Sequence, residues 1–270
     1  MVCAAIREHI AQSVGRHHGY ALVDRTPDNV MQVLRNFLLF DKNKDDNLYD
    51  WLGNRSIDWR IYHSGTPFFL YEPSVLAKYR ADRNNQFRSI FDLRQNVLDH
   101  DVASVIFLEP MYQDDPHRGS TRATDDHPPA SLAGGQAFLK MVFDGLTATP
   151  EVWESLMLII TYDEHGSFFD HIPPRPIPFA APQNAHYKGF DTTGLRVPGI
   201  VVSPFVEPGS VCETLFDHTS ILKLLAEKFG DGRYSDILDA RPVKSLSEVL
   251  SDQRLDASFH PLAPPQPPWA

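Results

Sequence analysis

The densest chemistry in the chain lies in Thr161-Tyr162-Asp163-Glu164-His165-Gly166-Ser167-Phe168-Phe169-Asp170-His171. Asp163 and Glu164 directly follow the apolar run Leu156–Tyr162 (LMLIITY). If that run is a buried strand, both carboxylates leave its C-terminal end. Their oxygens suit a hard divalent cation, and the imidazole of His165 suits zinc or iron. Gly166 lets the backbone turn sharply after them. The competing reading is a solvated turn that happens to carry charge. Three further clusters combine an acid with a histidine or a strand end. Asp125-Asp126-His127-Pro128-Pro129 would present His127 on a turn stiffened by proline; its plain alternative is an exposed acidic loop. Phe216-Asp217-His218-Thr219-Ser220 opens an apolar helical pattern, where Asp and Thr are also ordinary capping residues. Phe107-Leu108-Glu109-Pro110 sets a carboxylate at a strand end.

Other motifs fail on inspection. Asp41-Lys42-Asn43-Lys44-Asp45-Asp46 starts like an EF-hand loop, but Asp46 stands where glycine is required and Leu52 where the closing Glu belongs. The chain has no G-x-S-x-G elbow, no P-loop, no H-E-x-x-H and no dinucleotide glycine pattern. His17-His18 reads as a surface pair. Cys3 and Cys212 make neither zinc-type spacing nor a disulfide framework.

The elements that must position these residues follow from hydrophobic periodicity. Val102–Leu108, Leu156–Tyr162 and Val197–Val202 are short apolar runs with β-branched residues, as in strands covered on both faces. Leu139, Val142, Phe143 and Leu146 recur at helical spacing within Leu132–Leu146. Thr149-Pro150-Glu151 reads as a helix start. Asp217 or Thr219 would cap a helix carrying Ile221, Leu222, Leu224, Leu225 and Phe229, stopped at Gly230. Strands alternating with helices predict an α/β fold with a mostly parallel sheet, whose ligands bind beyond the carboxyl ends of the strands. His127 and His218 should therefore converge on the cleft that holds Asp163. The composition supports a folded chain: 42% of the 270 residues are hydrophobic and 22% charged. The net charge of −10 argues against a general nucleic-acid binder, and no apolar run reaches the length of a membrane-spanning helix. One domain is expected over residues 1–258, with no element assigned in 1–48, followed by a proline-rich tail, 259–270. A second proline cluster, Pro173 to Pro182, reads as a long loop. The N-terminus lacks the features of a secretory signal, and the compartment is left open.

Taken together the clusters resemble the bacterial phosphoesterase family of non-haemolytic phospholipases C and acid phosphatases. The resemblance runs through Trp59-Arg60-Ile61-Tyr62, Val105–Pro110, Asp126–Ala130 and Thr161–Gly166 with Phe169-Asp170-His171. It continues through Gly194-Leu195-Arg196-Val197-Pro198, Ser203-Pro204-Phe205 and Phe216–Ser220. It implies an alkaline-phosphatase-like three-layer α/β sandwich and a phosphate-ester substrate, phospholipid or phosphomonoester. It also implies a divalent metal ion held partly by Asp163 and Glu164, and a Ser or Thr nucleophile that the metal activates. Catalytic roles are expected for His127, His165 and His218, with His127 binding phosphate or protonating the leaving group. Asp126, Asp170 and His171 are secondary candidates.

The chain departs from the family pattern in two places. Ser167 stands where the family usually has a second glycine. More consequentially, the family opens its catalytic region with a strand ending in Glu-Asn, upstream of the W-R-I-Y block. Gly53-Asn54-Arg55-Ser56-Ile57-Asp58 imitates that opening but has Gly53 for the Glu, and its position marks it as a connector. The expectation is a chain matching the central and C-terminal part of the family, N-terminally incomplete, without the family's first strand, two of its metal ligands and its nucleophile, that hydrolyses phosphate esters very poorly or not at all. The alternative is a non-catalytic remnant acting as a metal-binding or interaction protein. A lectin-like binding domain leaves the acid and histidine clusters unexplained.

Overall fold

The computed structural model describes residues 47–67, 81, 86–113, 115, 119–177 and 192–255. Cys3, His17-His18, the Asp41–Asp46 loop, the proline-rich tail and the mid-chain proline cluster beyond residue 177 lie outside the described residues.

Helix α1 (Leu48–Asn54) starts where the Asn47 side chain accepts from the backbone N–H groups of Tyr49 and Asp50, at 3.1 and 3.0 Å. Its last turn passes through Ser56, in the left-handed region at φ 57°, into β1 (Trp59–His63). The Gly53–Asp58 segment is thus the connector into W-R-I-Y. Strand β1 is the centre of a three-stranded parallel sheet, flanked by β2 (Phe87–Ser89) and β3 (Val105–Glu109). Side chains alternate between the two faces. Trp59 and Ile61 join Tyr49, Trp51, Leu52 and Ala226 in one core cluster; Tyr62 joins Ile90, Leu93, Val97, Phe138, Val142, Leu146 and Leu158 in the other.

Helices therefore cover both faces. On the first lie α1 and, further along the chain, α5 (Thr219–Phe229). On the second lie α2 (Leu93–Leu98) and α3 (Ala133–Leu146). This is the expected three-layer α/β arrangement. In α3 the fully inward stripe is Phe138, Val142 and Leu146, with Leu139 and Phe143 partly covered beside it. The Thr149-Pro150 start yields one turn, α4 (Pro150–Trp153), and the Thr149 side chain makes no cap bond.

The remaining strands, β4 (Leu158–Thr161) and β5 (Gly199–Val202), form their own two-stranded sheet, and it is antiparallel. The sequence places Val197–Val202 as a strand buried on both faces in a parallel sheet; here it is shorter, and Gly199 and Ile200 are exposed. An antiparallel pair needs no crossover connection, and Gly199 brings no side chain to bury at the start of the strand. Pro198, without an N–H, stands just before the ladder, and Thr161 Oγ1 donates to its carbonyl at 3.1 Å. Strands β4 and β5 still pack Leu158, Ile160 and Val202 into the second core cluster beside Ile106 and Leu108 of β3. Helix α5 begins as expected: Asp217 Oδ1 accepts from the N–H and hydroxyl of Thr219 at 2.8 and 2.6 Å, and the N–H of Gly230 closes the last turn on Ala226. Helix α6 (Asp236–Asp239) follows.

Candidate functional site

The backbone leaves β4 at Thr161, and Tyr162, Asp163, Glu164 and His165 follow as a half-buried loop at the strand's C-terminal end. Gly166 and Ser167 then take successive left-handed conformations, φ 62° and 63°. This double turn lets Phe168 N–H return to the carbonyl of His165 at 3.1 Å. Glycine takes that conformation without strain, which gives a physical reason for the glycine the family pattern has where this chain has Ser167. A side chain at position 166 would crowd the ring of Pro128 at 3.1 Å, so the Asp125–Pro129 loop lies directly against this turn.

Tyr162 is where the separate clusters meet. Its Oη donates to Asp126 Oδ2 at 2.8 Å. Its backbone carbonyl lies 2.7 Å from Nε2 of His218. Burial, reinforced by the Asp126 carboxylate, pushes the Tyr162 phenol up to about 12, so it remains a proton donor near neutral pH. Asp126 has φ 58°, and its Oδ1 is buried with no hydrogen-bond partner among the described residues. That carboxylate rests on Gly135, in the first turn of α3, at a distance no side chain would allow.

His127 leaves this loop exposed, its Nδ1 2.7 Å from the Pro128 carbonyl and its N–H 3.3 Å from Asp125 Oδ1. Asp125 also accepts from the N–H of Gln113 at 2.7 Å, which ties the loop to the segment after β3. On the other side, Asp217 accepts from Arg241 Nε at 2.6 Å and so steadies the start of α5 that carries His218. His165 Nδ1 stands 3.5 Å from Glu164 Oε2.

Asp170 and His171 have a different setting. Arg196 donates to both oxygens of Asp170 at 2.7 Å, and the N–H of Ile172 adds a third bond at 3.0 Å. The Arg196 guanidinium, followed by the Ile172 N–H, holds the Asp170 carboxyl far below the usual carboxylate range. Asp170 thereby clamps the loop after β4 to the segment before β5, and His171 is exposed beside it, 3.6 Å from Oδ1. In the sequence Tyr162 and Arg196 stand only as members of motifs, without a role of their own. The paired glycines Gly134-Gly135, unusual inside a helix, were the available signal for the close passage of the Asp126 loop.

The fit to a divalent cation is incomplete. Asp163 and Glu164 are two adjacent carboxylates, but among the described residues no group of three or more His, Cys, Asp or Glu side chains is gathered as a metal site. No helix among these residues is long and apolar enough to cross a membrane.

Comparison with known proteins bears on the same segments. The chain is 34% identical over 203 residues to non-specific phospholipase C6 of Arabidopsis thaliana, an alignment covering 67% of this chain and 36% of that protein. It is 28% identical over 196 residues to non-specific phospholipase C3 of the same plant, with the same coverage of 67% and 36%. Against the non-hemolytic phospholipase C of Burkholderia pseudomallei it is 38% identical over 132 residues, 42% of this chain and 18% of that protein. The chain thus spans little more than a third of the length of the plant relatives. A sequence model of the Phosphoesterase family matches residues 21–230, which include β1, β3, the Asp126 loop, the Asp163–His171 loop and His218. With most of its length, and every candidate residue of the site, inside that match, the chain belongs to the Phosphoesterase family.

Proposed function

We propose that this site acts on phosphoric esters, as part of a hydrolase of the phospholipase C or acid phosphatase type. The observation that carries the reading is the junction at Tyr162. It links Asp126 and His218 to the residue directly preceding Asp163 and Glu164, at the carboxyl end of a strand. Ligands of parallel α/β sheets bind beyond the carboxyl ends of their strands, and Asp125 ties the Asp126 loop to the segment that follows β3 of the parallel sheet. Imidazoles there can bind phosphoryl oxygens or protonate a leaving oxygen, roles we assign to His127 and His218 with His165 as a third candidate. Asp163 and Glu164 are the carboxylates this chain would offer to a divalent cation. They gather no third ligand among the described residues, so the roles of the histidines are assigned without one. Asp126 positions a loop, Asp170 clamps one with His171 beside it, and the nucleophile stays unassigned. Relatives named as phospholipases C favour a phospholipid ester as substrate over a simple phosphomonoester.

The test is hydrolysis of p-nitrophenyl phosphorylcholine and p-nitrophenyl phosphate by the 270-residue chain across a panel of divalent cations, with Asp163→Asn beside it. Slow, cation-dependent release of p-nitrophenol that Asp163→Asn abolishes supports the reading. Release indifferent to the substitution removes it, and no release with any cation favours the non-catalytic alternative for this chain.

A further inference from the structure

The two histidines that flank the candidate site are each pinned through one ring nitrogen, and the pin fixes which nitrogen is left for chemistry. A backbone carbonyl can only accept a hydrogen bond. His218 Nε2, 2.7 Å from the Tyr162 carbonyl, must therefore carry the proton, which leaves Nδ1 as the open nitrogen. His127 is the mirror case: Nδ1, 2.7 Å from the Pro128 carbonyl, carries the proton, and Nε2 is open. The two imidazoles thus enter the site as opposite tautomers.

One residue stands behind both arrangements. We propose that Tyr162 is the positioning residue of this site, its carbonyl fixing the tautomer of His218 and its hydroxyl fixing the Asp126-His127 loop. The inference rests on the phosphoester reading of the site for its functional meaning, but not for its geometry. The hydroxyl arm matters because little else holds Asp126. Its backbone is in a left-handed conformation, one that Asp tolerates when its side chain is hydrogen-bonded. Its Oδ1 is buried against Gly135 and finds no donor among the described residues, so the bond from Tyr162 Oη is the partner the structure gives that carboxylate. Losing it leaves a poorly solvated carboxylate pressed against a helix, and the loop should move to rehydrate it. His127 is the next residue, exposed and held otherwise by bonds within its own loop. The carbonyl arm is independent of the side chain, so the two arms can be separated experimentally.

The experiment uses the full chain labelled with ¹⁵N-histidine. Long-range proton–nitrogen spectra are taken above the histidine titration range, where Nδ1–H and Nε2–H tautomers give distinct patterns. The expected parent spectrum shows His218 as Nε2–H and His127 as Nδ1–H, the less common form in water. In Tyr162→Phe the ring packing and the carbonyl persist. His218 should keep its pattern while His127 moves to a mixture dominated by Nε2–H, and Asp126→Asn, which weakens the same bond from its other end, should shift His127 in the same direction. A parent His218 in the Nδ1–H form overturns the carbonyl arm. A His127 pattern unchanged in both variants overturns the hydroxyl arm. A kinetic arm uses p-nitrophenyl phosphorylcholine: if Tyr162 acts through His127, Tyr162→Phe combined with His127→Gln should be no slower than His127→Gln alone, whereas multiplying losses overturn the coupling. Absence of turnover in the parent chain favours the non-catalytic alternative, and the tautomer spectra then decide the positioning claim.

Discussion

Asp170 and His63 are both shifted to lower pKa, for opposite physical reasons. Arg196 stabilises the charged form of Asp170, whereas burial penalises the charged form of His63, opposed in part by the bond from Nδ1 to the Gly65 carbonyl at 2.6 Å. A group whose folded pKa lies below its unfolded value supplies stability that is present above the unfolded value and lost as pH falls toward the folded one. For His63 that loss starts near the ordinary value of 6.5. For Asp170 it starts only below about 4, where unfolded carboxylates titrate. The decline in thermal stability between pH 7.5 and 5 should therefore include a His63 contribution that the Asp170–Arg196 clamp does not share. His63→Asn, whose amide can take the place of Nδ1, should flatten the decline in melts across that window; an unchanged slope would sink the assignment. Ser167 gives a second prediction at this scale. Its left-handed φ of 63° costs a non-glycine residue roughly 1–2 kcal/mol, and glycine gives back roughly 0.5–1 kcal/mol in chain entropy. Ser167→Gly should thus raise stability by roughly 0.5–1 kcal/mol, read as an increase in denaturation midpoint. The sequence marked Ser167 as a departure from a pattern, but the strain behind it comes from a dihedral angle that the residue string does not display. Tyr162 was hidden for a related reason: its partners Asp126 and His218 lie far away along the chain and meet it only once β4 and α5 are in place.

Elements with clean periodicity were legible in the sequence, and those whose polar residues find distant partners were not. Helix α3, strand β4 and helix α5 fall within a residue or two of their expected spans. Strand β1, the centre of the parallel sheet, could be read only as a motif, because Arg60 in its middle breaks the apolar run. The fold resolves that by carrying the guanidinium across to Asp101, with Nη2 at 2.8 Å from Oδ1 and Nη1 at 2.7 Å from the carbonyl. Helix α2 is short and lies among polar residues; its inward pair, Leu93 and Val97, makes sense only against α3. The α3 stripe supports a graded prediction. Leu146 is almost fully buried, so Leu146→Ala should cost roughly 2–5 kcal/mol. Leu132, just before the helix, is 56% exposed, and Leu132→Ala should stay within roughly 0.5 kcal/mol of the parent. Urea denaturation of the two variants measures both, and equal costs would mean that α3 does not anchor the second core cluster.

At the scale of the molecule, the two described sheets contribute to one core, and no ladder joins them among the described residues. Ile106 and Leu108 of β3 and Leu158 and Ile160 of β4 line the same cluster, yet among the described residues β3 pairs only with β1, and β4 only with β5. Four strand edges, on β2, β3, β4 and β5, therefore find no ladder partner among these residues. The expected parallel sheet is there in β1–β3, but strand composition reveals burial and not which neighbour completes a ladder, so the antiparallel pairing of β4 with β5 was not legible. An open edge is a template for another strand unless charge or a bulge blunts it. The β5 edge is not blunted: its sequence is Gly199-Ile200-Val201-Val202, and Ile200 is 53% exposed. The net charge of −10 opposes close approach of two copies but is screened over about 8 Å at physiological ionic strength. The chain should therefore self-associate in a concentration-dependent manner, and more strongly as salt is raised. Ile200→Lys places a charge on the exposed edge without touching the core. Light scattering coupled to size exclusion should show the parent's mass rising with concentration and the variant's rising less. A parent that stays monomeric at every concentration and salt would mean that these edges are covered in solution. A variant that associates as strongly as the parent would move the contact away from β5.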